Sequence, residues 1–416
     1  MSETFLPYGR HLIDEDDIAA VVSALRSDWL TTGPRAAEFE RAVKDYTGAN
    51  HAVAVSSGTA ALHAAMHAIG IGPGDEVIVP AMTFAATANC VMYMGGTPVF
   101  ADVEPDTLLL DPAQVEARIT PRTRAIIAVD YAGQPCDYDT LRAIGSRHSL
   151  TVVADACHSL GGAYRGQRVG SLADLTVFSF HPVKHITTGE GGMIVTNDED
   201  FALRMRRFRN HGIASDHRER EANGTWQYEM THLGYNYRIT DIQCALGTSQ
   251  MKKLPHWLEH RDRLARKYGA LLTQSIGSPL VKRPDLQHAY HLYVIRLAED
   301  MNRAFLFKKL RRRSIGVNVH YLPVHLHPYY QRTLGTVPGL CPVAEAAYDH
   351  ILTLPLHQAM TEADVARVCL SLQAAAASNE DALKSGTDPA VNELFNPLAK
   401  LDCRSQGLRT PSMASR

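Results

Sequence analysis

Between residues 50 and 200 the apolar positions cluster in short, largely apolar runs, at 52–55, 76–79, 98–103, 124–129, 151–154, 175–180 and 193–196. A strand with one wet face alternates apolar and polar residues, so runs that are apolar throughout belong to strands covered on both sides. Helix-patterned segments, among them 58–69 and 138–148, stand between several of these runs and give a strand–helix–strand rhythm. The pattern predicts an α/β fold whose large domain is built on a mainly parallel sheet of seven strands. Ahead of the sheet, Ile18, Val21, Val22 and Leu25 recur at three-and-four spacing, an amphipathic helix over 14–27. The rhythm changes after about residue 250. A long charged helix at 254–272, a strand-like HAYHLYVIRL at 288–297 and a helix at 304–313 predict a smaller C-terminal α/β domain. The expected division is 1–250 for the large domain, 251–375 for the small one and 376–416 for an aperiodic tail rich in Ala, Ser, Asn and Pro, where flexibility is expected.

Composition adds mainly exclusions. A chain of 416 residues, 45% hydrophobic, buries enough core for two domains. Its 42 Lys and Arg against 44 Asp and Glu create no global field for nucleic acid or an acidic membrane surface. Arg204, Arg206, Arg207 and Arg209 read as a solvated helix face; for Lys308, Lys309, Arg311, Arg312 and Arg313 a solvated face and a nucleotide-diphosphate contact both stay open. Seven Cys are scattered without a CxxC pair, which suits a reducing compartment. The N-terminus lacks the basic start and apolar core of a secretory signal, and no apolar stretch approaches the ~20 residues that span a bilayer. A cytoplasmic location is expected, with no membrane partner.

Ligands gather at the carboxyl ends of parallel strands, and the chemistry-bearing motifs fall there. SFHPVKHITTGEGG, 179–192, sets one lysine, Lys184, on a loop between two strands. An amine that loses its proton readily can serve as nucleophile and then as base in carbonyl chemistry. VVADACHSLG closes an apolar run with Asp155, a carboxylate able to stabilise a protonated ring nitrogen or simply to cap a helix. VAVSSGTAALHAA offers Ser57, Gly58 and Thr59 at a helix start, where backbone amides and the dipole favour a phosphate, although an ordinary capped helix reads the same way. GIGPGDE, 70–76, lacks dinucleotide glycine spacing and precedes its strand, so nicotinamide binding is rejected. His320, His325 and His327 lie on a proline-containing loop with no carboxylate or Cys at ligand spacing; no metal is expected.

Together these segments resemble the DegT/DnrJ/EryC1/StrS family of pyridoxal-phosphate-dependent sugar aminotransferases, over roughly residues 5–375. The resemblance implies aminotransferase fold type I, pyridoxal 5′-phosphate as cofactor and Lys184 as the lysine that bonds it. It further implies that Asp155 faces the pyridine nitrogen, His158 lies against the ring or its phenolic oxygen, Phe84 stands beside the ring and Ser179 binds phosphate. LGYNYRITDIQCALG, 233–247, is similar to the family's G-x-N-x-R motif, which implies a homodimer with shared sites in which Asn236 serves the partner's phosphate. Tyr8, Thr31, His320 and Tyr321 match positions lining the sugar-nucleotide pocket. The implied donor is L-glutamate and the implied acceptor a UDP-linked 4-keto-6-deoxy-N-acetylhexosamine aminated at C4, since VDYAGQPCDYDTL is most like the pseudaminic acid branch. Another nucleotide-linked keto sugar aminated at C3 or C4 is the alternative. A sugar dehydratase replaces the lysine with His, whereas here the His follows it, and a silent cofactor-binding regulator has no need of Lys184, Asp155, Ser57 and Asn236 together.

Overall fold

The computed structural model describes residues 4–215 and 217–385. Its large sheet uses β1 His51–Val55, β2 Glu76–Pro80, β3 Thr97–Ala101, β4 Thr123–Val129, β5 Thr151–Asp155, β6 Leu175–Ser179 and β7 Gly192–Thr196. Their order across the sheet is β1-β7-β6-β5-β4-β2-β3, and only β7 runs against the rest. The runs are apolar because helices cover both faces: nearly every side chain of β2, β4, β6 and β7 is buried. The six parallel strands therefore bring the ends of β1, β5 and β6 to one edge, where the reversed β7 begins. Gly192 pairs with Val55 on one side and Ser179 on the other. A Cβ there would lie 2.3 Å from the Ser57 carbonyl oxygen, so only glycine lets the two strand ends close in.

The small domain holds a three-stranded antiparallel sheet, β8 Gly277–Pro279, β9 Tyr293–Leu297 and β10 Ile351–Leu354, in that order. With the helices Arg303–Arg312 and Glu362–Ser385 it forms a second core around Tyr268, Ile295, Leu306, Leu352 and Val365. Leu6 belongs to that core as well, tied by its backbone to Ser314 and Gly316. The final helix continues past 376, where an aperiodic tail is expected from sequence. Ala375 and Ala376 are buried, and alanine sustains a helix without any large apolar stripe. The remainder of the expected tail, 386–416, lies outside the described residues.

One helix, Asp241–Leu271, runs through the 250/251 division and packs on both cores. It starts 13 residues before the expected 254 because Thr240 and Gln243 form a capping box, while small residues and Pro255 hide the periodicity. The first basic run is only partly a solvated face: Arg204 is exposed, yet it donates with Arg206 and Arg209 to the carbonyls of Ala68, Ala52 and Ala54. HAYHLYVIRL becomes strand only from Tyr293. Its first half is irregular because Ala289 and Leu292 donate to the carbonyls of Gly133 and Ala132, turning the chain toward the large domain. Among the described residues no helix is long and apolar enough to cross a membrane.

Candidate active site

Lys184 stands on the β6–β7 loop, its Nζ 3.4 Å from Nε2 of His291. Burial lowers the pKa of its amine, while Cys157 and Asp155 act to raise it. The residue as a whole is half-buried. Asp155, the last residue of β5, is buried. One carboxylate oxygen accepts from the Thr87 hydroxyl at 2.7 Å and the other from the Cys157 amide at 3.3 Å. Thr87 also meets Thr83 at 2.8 Å, so the Ala86–Tyr93 helix holds the carboxylate in place.

His158 is buried, with Nε2 3.1 Å from the Tyr321 hydroxyl and its ring 4.4 Å from that of His291. Burial, with Lys184 nearby, drives its pKa well below 6.5 and keeps the imidazole neutral. Phe84 is 60% exposed with its ring 6.1 Å from that of Tyr321, which places it on the rim, whereas Ala88 and Val91 at helical spacing from it are core. His320 is buried, meets Thr353 Oγ1 at 2.9 Å and takes the Tyr131 hydroxyl on its carbonyl; burial brings its pKa down to about 3. Tyr8 packs its ring 5.3 Å from that of His320.

At the sheet edge Ser57 caps the helix Gly58–Ile69 by accepting from the Ala60 amide, and Thr59 lies in the first turn. A Cβ on Gly58 would come 2.9 Å from Cβ of Ser179 and 3.4 Å from Sγ of Cys157, so the three segments form a crowded cradle. Ser179 Oγ accepts from the His181 amide at 3.4 Å. These residues fit pyridoxal phosphate: an amide-rich helix start for the phosphate, a buried carboxylate for a ring cation, and a buried His158 Nδ1 that makes no hydrogen bond within the chain.

Among the described residues Asn236 and Thr31 make no hydrogen bond to this group. Thr31 bridges Thr240, and the neighbouring Gly33 amide donates to buried Asp241 at 2.7 Å. Asn236 is exposed and bridges Asn210 through its backbone, and Arg238 donates to the Asn210 side chain at 2.6 Å, anchoring the loop. The adjoining Tyr237 carbonyl accepts from the Ser56 amide, yet among the described residues nothing bonds the Asn236 side chain. Nearby Trp226, Met230 and Leu233 are also exposed. A cavity of about 420 Å³ behind the Tyr131 wall, lined by Gln134, Lys282, His288 and Tyr290, does not include Lys184. The chemistry, not cavity size, locates the site.

Thr87 and His291 escape sequence reading, since each acts across a long separation: 68 residues from Asp155 and 107 from Lys184. Only the unusual density of His in 288–291 signals the second.

A doubly covered, mainly parallel seven-stranded sheet, a smaller α/β domain and a lysine on the loop after β6 define a pyridoxal-phosphate-dependent sugar aminotransferase of fold type I. The chain belongs to the DegT/DnrJ/EryC1/StrS aminotransferase family, whose model matches residues 11–373. It is 42% identical over 368 residues to the spore coat polysaccharide biosynthesis protein SpsC of Bacillus subtilis, covering 87% of this chain and 94% of that one. The structure resembles the PMP-form of the putative sugar aminotransferase Spr1654 from Streptococcus pneumoniae, with a TM-score of 0.86, 33% identity and coverage of 90% and 100%. It also resembles Helicobacter pylori PseC, an aminotransferase involved in the biosynthesis of pseudoaminic acid, with a TM-score of 0.85, 32% identity and coverage of 90% and 100%.

Proposed function

We propose that this enzyme moves an amino group from L-glutamate to C4 of a UDP-linked 4-keto-6-deoxy-N-acetylhexosamine, with Lys184 as the residue that bonds the cofactor and moves the proton. The observation that carries the reading is the buried amine of Lys184 within electrostatic reach of Asp155, at the edge where Ser57, Gly58 and Ser179 meet. When bound, pyridoxal phosphate supplies an electron sink for the carbanion beside it. Asp155 then holds the positive charge of the ring nitrogen, and Ser57, Gly58, Thr59 and Ser179 hold the phosphate. Lys184, its proton affinity reduced by burial, takes a proton from the donor carbon and returns it on the other side of the reacting bond. His158 steadies the ring through its link to Tyr321, and Phe84 covers it from the rim. Tyr8, Thr31, His320 and Tyr321 face the sugar nucleotide, and Asn236 serves the cofactor phosphate of a second subunit.

The assignment of the sugar rests on the run from Val129 to Leu141 and on the likeness to PseC. Asp130 in that run is buried and accepts from Ser159, Tyr138 and the Cys136 amide, so it shapes the wall and leaves contact with substrate to its neighbours. Incubation with glutamate and a panel of UDP- and dTDP-linked 4-keto sugars, followed by mass analysis, should give the 4-amino product from the UDP-N-acetyl sugar. Preference for a dTDP sugar lacking the acetamido group would replace this substrate. Borohydride treatment should fix the cofactor to the peptide containing Lys184, and a label on another lysine would end that assignment.

A further inference from the structure

Two buried anchors converge on the β6–β7 loop and on the segment that carries His291. Arg261 Nη1 donates to the carbonyls of Tyr290 at 2.9 Å, His291 at 3.4 Å and Leu356 at 3.0 Å, and its Nη2 to Gln358 Oε1 at 2.9 Å. Gln358 Nε2 donates onward to the carbonyls of His185 at 2.6 Å and Lys184 at 3.4 Å. One guanidinium–amide pair therefore fixes the backbone of both residues. Gly133 closes the opposite side: its φ is +111°, and a Cβ would stand 2.8 Å from the Tyr290 amide nitrogen and 2.9 Å from that of His291. The imidazole held in this way is buried, and its Nδ1 makes no hydrogen bond, as is true of Nδ1 on the adjacent His158. Among the described residues the ring's one hydrogen-bond partner is Lys184 Nζ at 3.4 Å, the long end of a hydrogen bond, which is usual in an unliganded site and tightens when the site is filled.

We propose that His291 is a positioning residue for Lys184, a neutral imidazole whose Nε2 accepts a hydrogen bond from Nζ and aims the amine into the pocket. The proposal rests on the reading of Lys184 as the cofactor lysine. Its protonation follows from the surroundings. Lys184 and Arg261 place positive charge beside the ring, the neighbouring His158 and His185 are themselves held neutral by burial, and the desolvated ring is driven well below 6.5. Facing Lys184 are Asp155 and Cys157 from the end of β5, His158 beyond them, His185 on its own loop and His320 from the small-domain side. Among the described residues His291 is the one with a ring nitrogen within hydrogen-bond reach of Nζ.

The test uses the full chain freed of cofactor, a form also known for the pneumococcal relative. Competitive acetylation with acetic anhydride across pH, read by mass at the Lys184 peptide, gives the titration midpoint of this amine. A neutral acceptor stabilises the ammonium, so His291→Phe should move the midpoint down by about one pH unit, a tenfold change, consistent with one hydrogen bond to a charged group. His291→Gln, which keeps an acceptor oxygen, should restore most of it. An unchanged midpoint in the Phe variant reduces His291 to packing, and an upward shift makes it a cation or a donor; either overturns the proposal. Should both variants misfold, the ¹⁵N shifts of histidine in the wild-type chain decide, because an Nε2 carrying a proton at neutral pH excludes the acceptor role. Borohydride mapping of each variant separates this question from the parent reading: cofactor on Lys184 with an unmoved midpoint sinks only His291, whereas cofactor on another lysine sinks both.

Discussion

Asp155 presents its carboxylate at the end of a buried strand with two donors, Thr87 and the Cys157 amide, and among the described residues no basic side chain is bonded to it. Its charge is therefore available to a ring cation. Asp155→Asn keeps the shape and removes the charge, so the half-reaction with glutamate should slow by orders of magnitude while cofactor still binds; stopped-flow absorbance measures this, and a near-wild-type rate would transfer the role elsewhere. A second expectation concerns the histidines. His158, His185, His291 and His320 are buried with pKa values below 6.5, so each is neutral when folded and takes up a proton at that value only when unfolded. Their contribution is complete above about pH 6.5 and is lost as pH falls, each by up to about 1.4 kcal/mol per pH unit. Urea denaturation at pH 7.5, 6 and 5 should show a loss of several kcal/mol before most carboxylates titrate, and a flat profile would mean the folded chain protonates them freely. At this scale the sequence is legible where a residue punctuates a pattern: Asp155 ends an apolar run, and Lys184 interrupts the passage between two strands. Thr87 is hidden because a hydroxyl in TFAATANCV carries no sign of which carboxylate it will meet.

Elements explain how such precision survives on loops. Arg261 is wholly buried on the long helix, and desolvation lowers its pKa to about 9, yet each of its contacts is an uncharged oxygen. Arg261→Met would strand those oxygens without donors, so the unfolding free energy should fall by about 3–5 kcal/mol, measured by thermal or urea melts. A change below about 1 kcal/mol would show that the carbonyls find other partners. The strands of the large sheet are readable because burial on both faces writes an unmistakable run. The start of the Asp241–Leu271 helix is not, because close packing there selects small residues: a Cβ on Gly247 would press to 2.7 Å from the Phe39 ring. Likewise HAYHLYVIRL has strand composition throughout, and backbone bonds to Ala132 and Gly133, which no local pattern encodes, bend its first half away.

For the molecule as a whole, Asn236, Trp226, Met230 and Leu233 are exposed along one stretch of the chain, a surface that the proposed homodimer would cover. Under the shared-site proposal, Lys184→Ala and Asn236→Ala subunits, each inactive alone, should regain about half the wild-type activity in mixed dimers, since one of the two sites then combines an intact Lys184 with an intact Asn236. Differentially tagged mixed dimers as inactive as their parents would place Asn236 in its own subunit's site. The division into two cores is only partly legible in the sequence: Leu6, at the far end of the chain, packs with the small domain.

The anchoring of Lys184 by Gln358 and its meeting with His291 carry a consequence for the order in which the protein is made. The lysine leaves the ribosome long before either partner, which follow it by 174 and 107 residues. All seven strands of the large sheet are present once Thr196 has emerged, and that sheet can assemble while synthesis continues. The amine acquires its aim only when the chain has been translated beyond Gln358. On the proposed role of Lys184, capture of the cofactor in its working geometry is thus a late event, reserved for chains translated past Gln358.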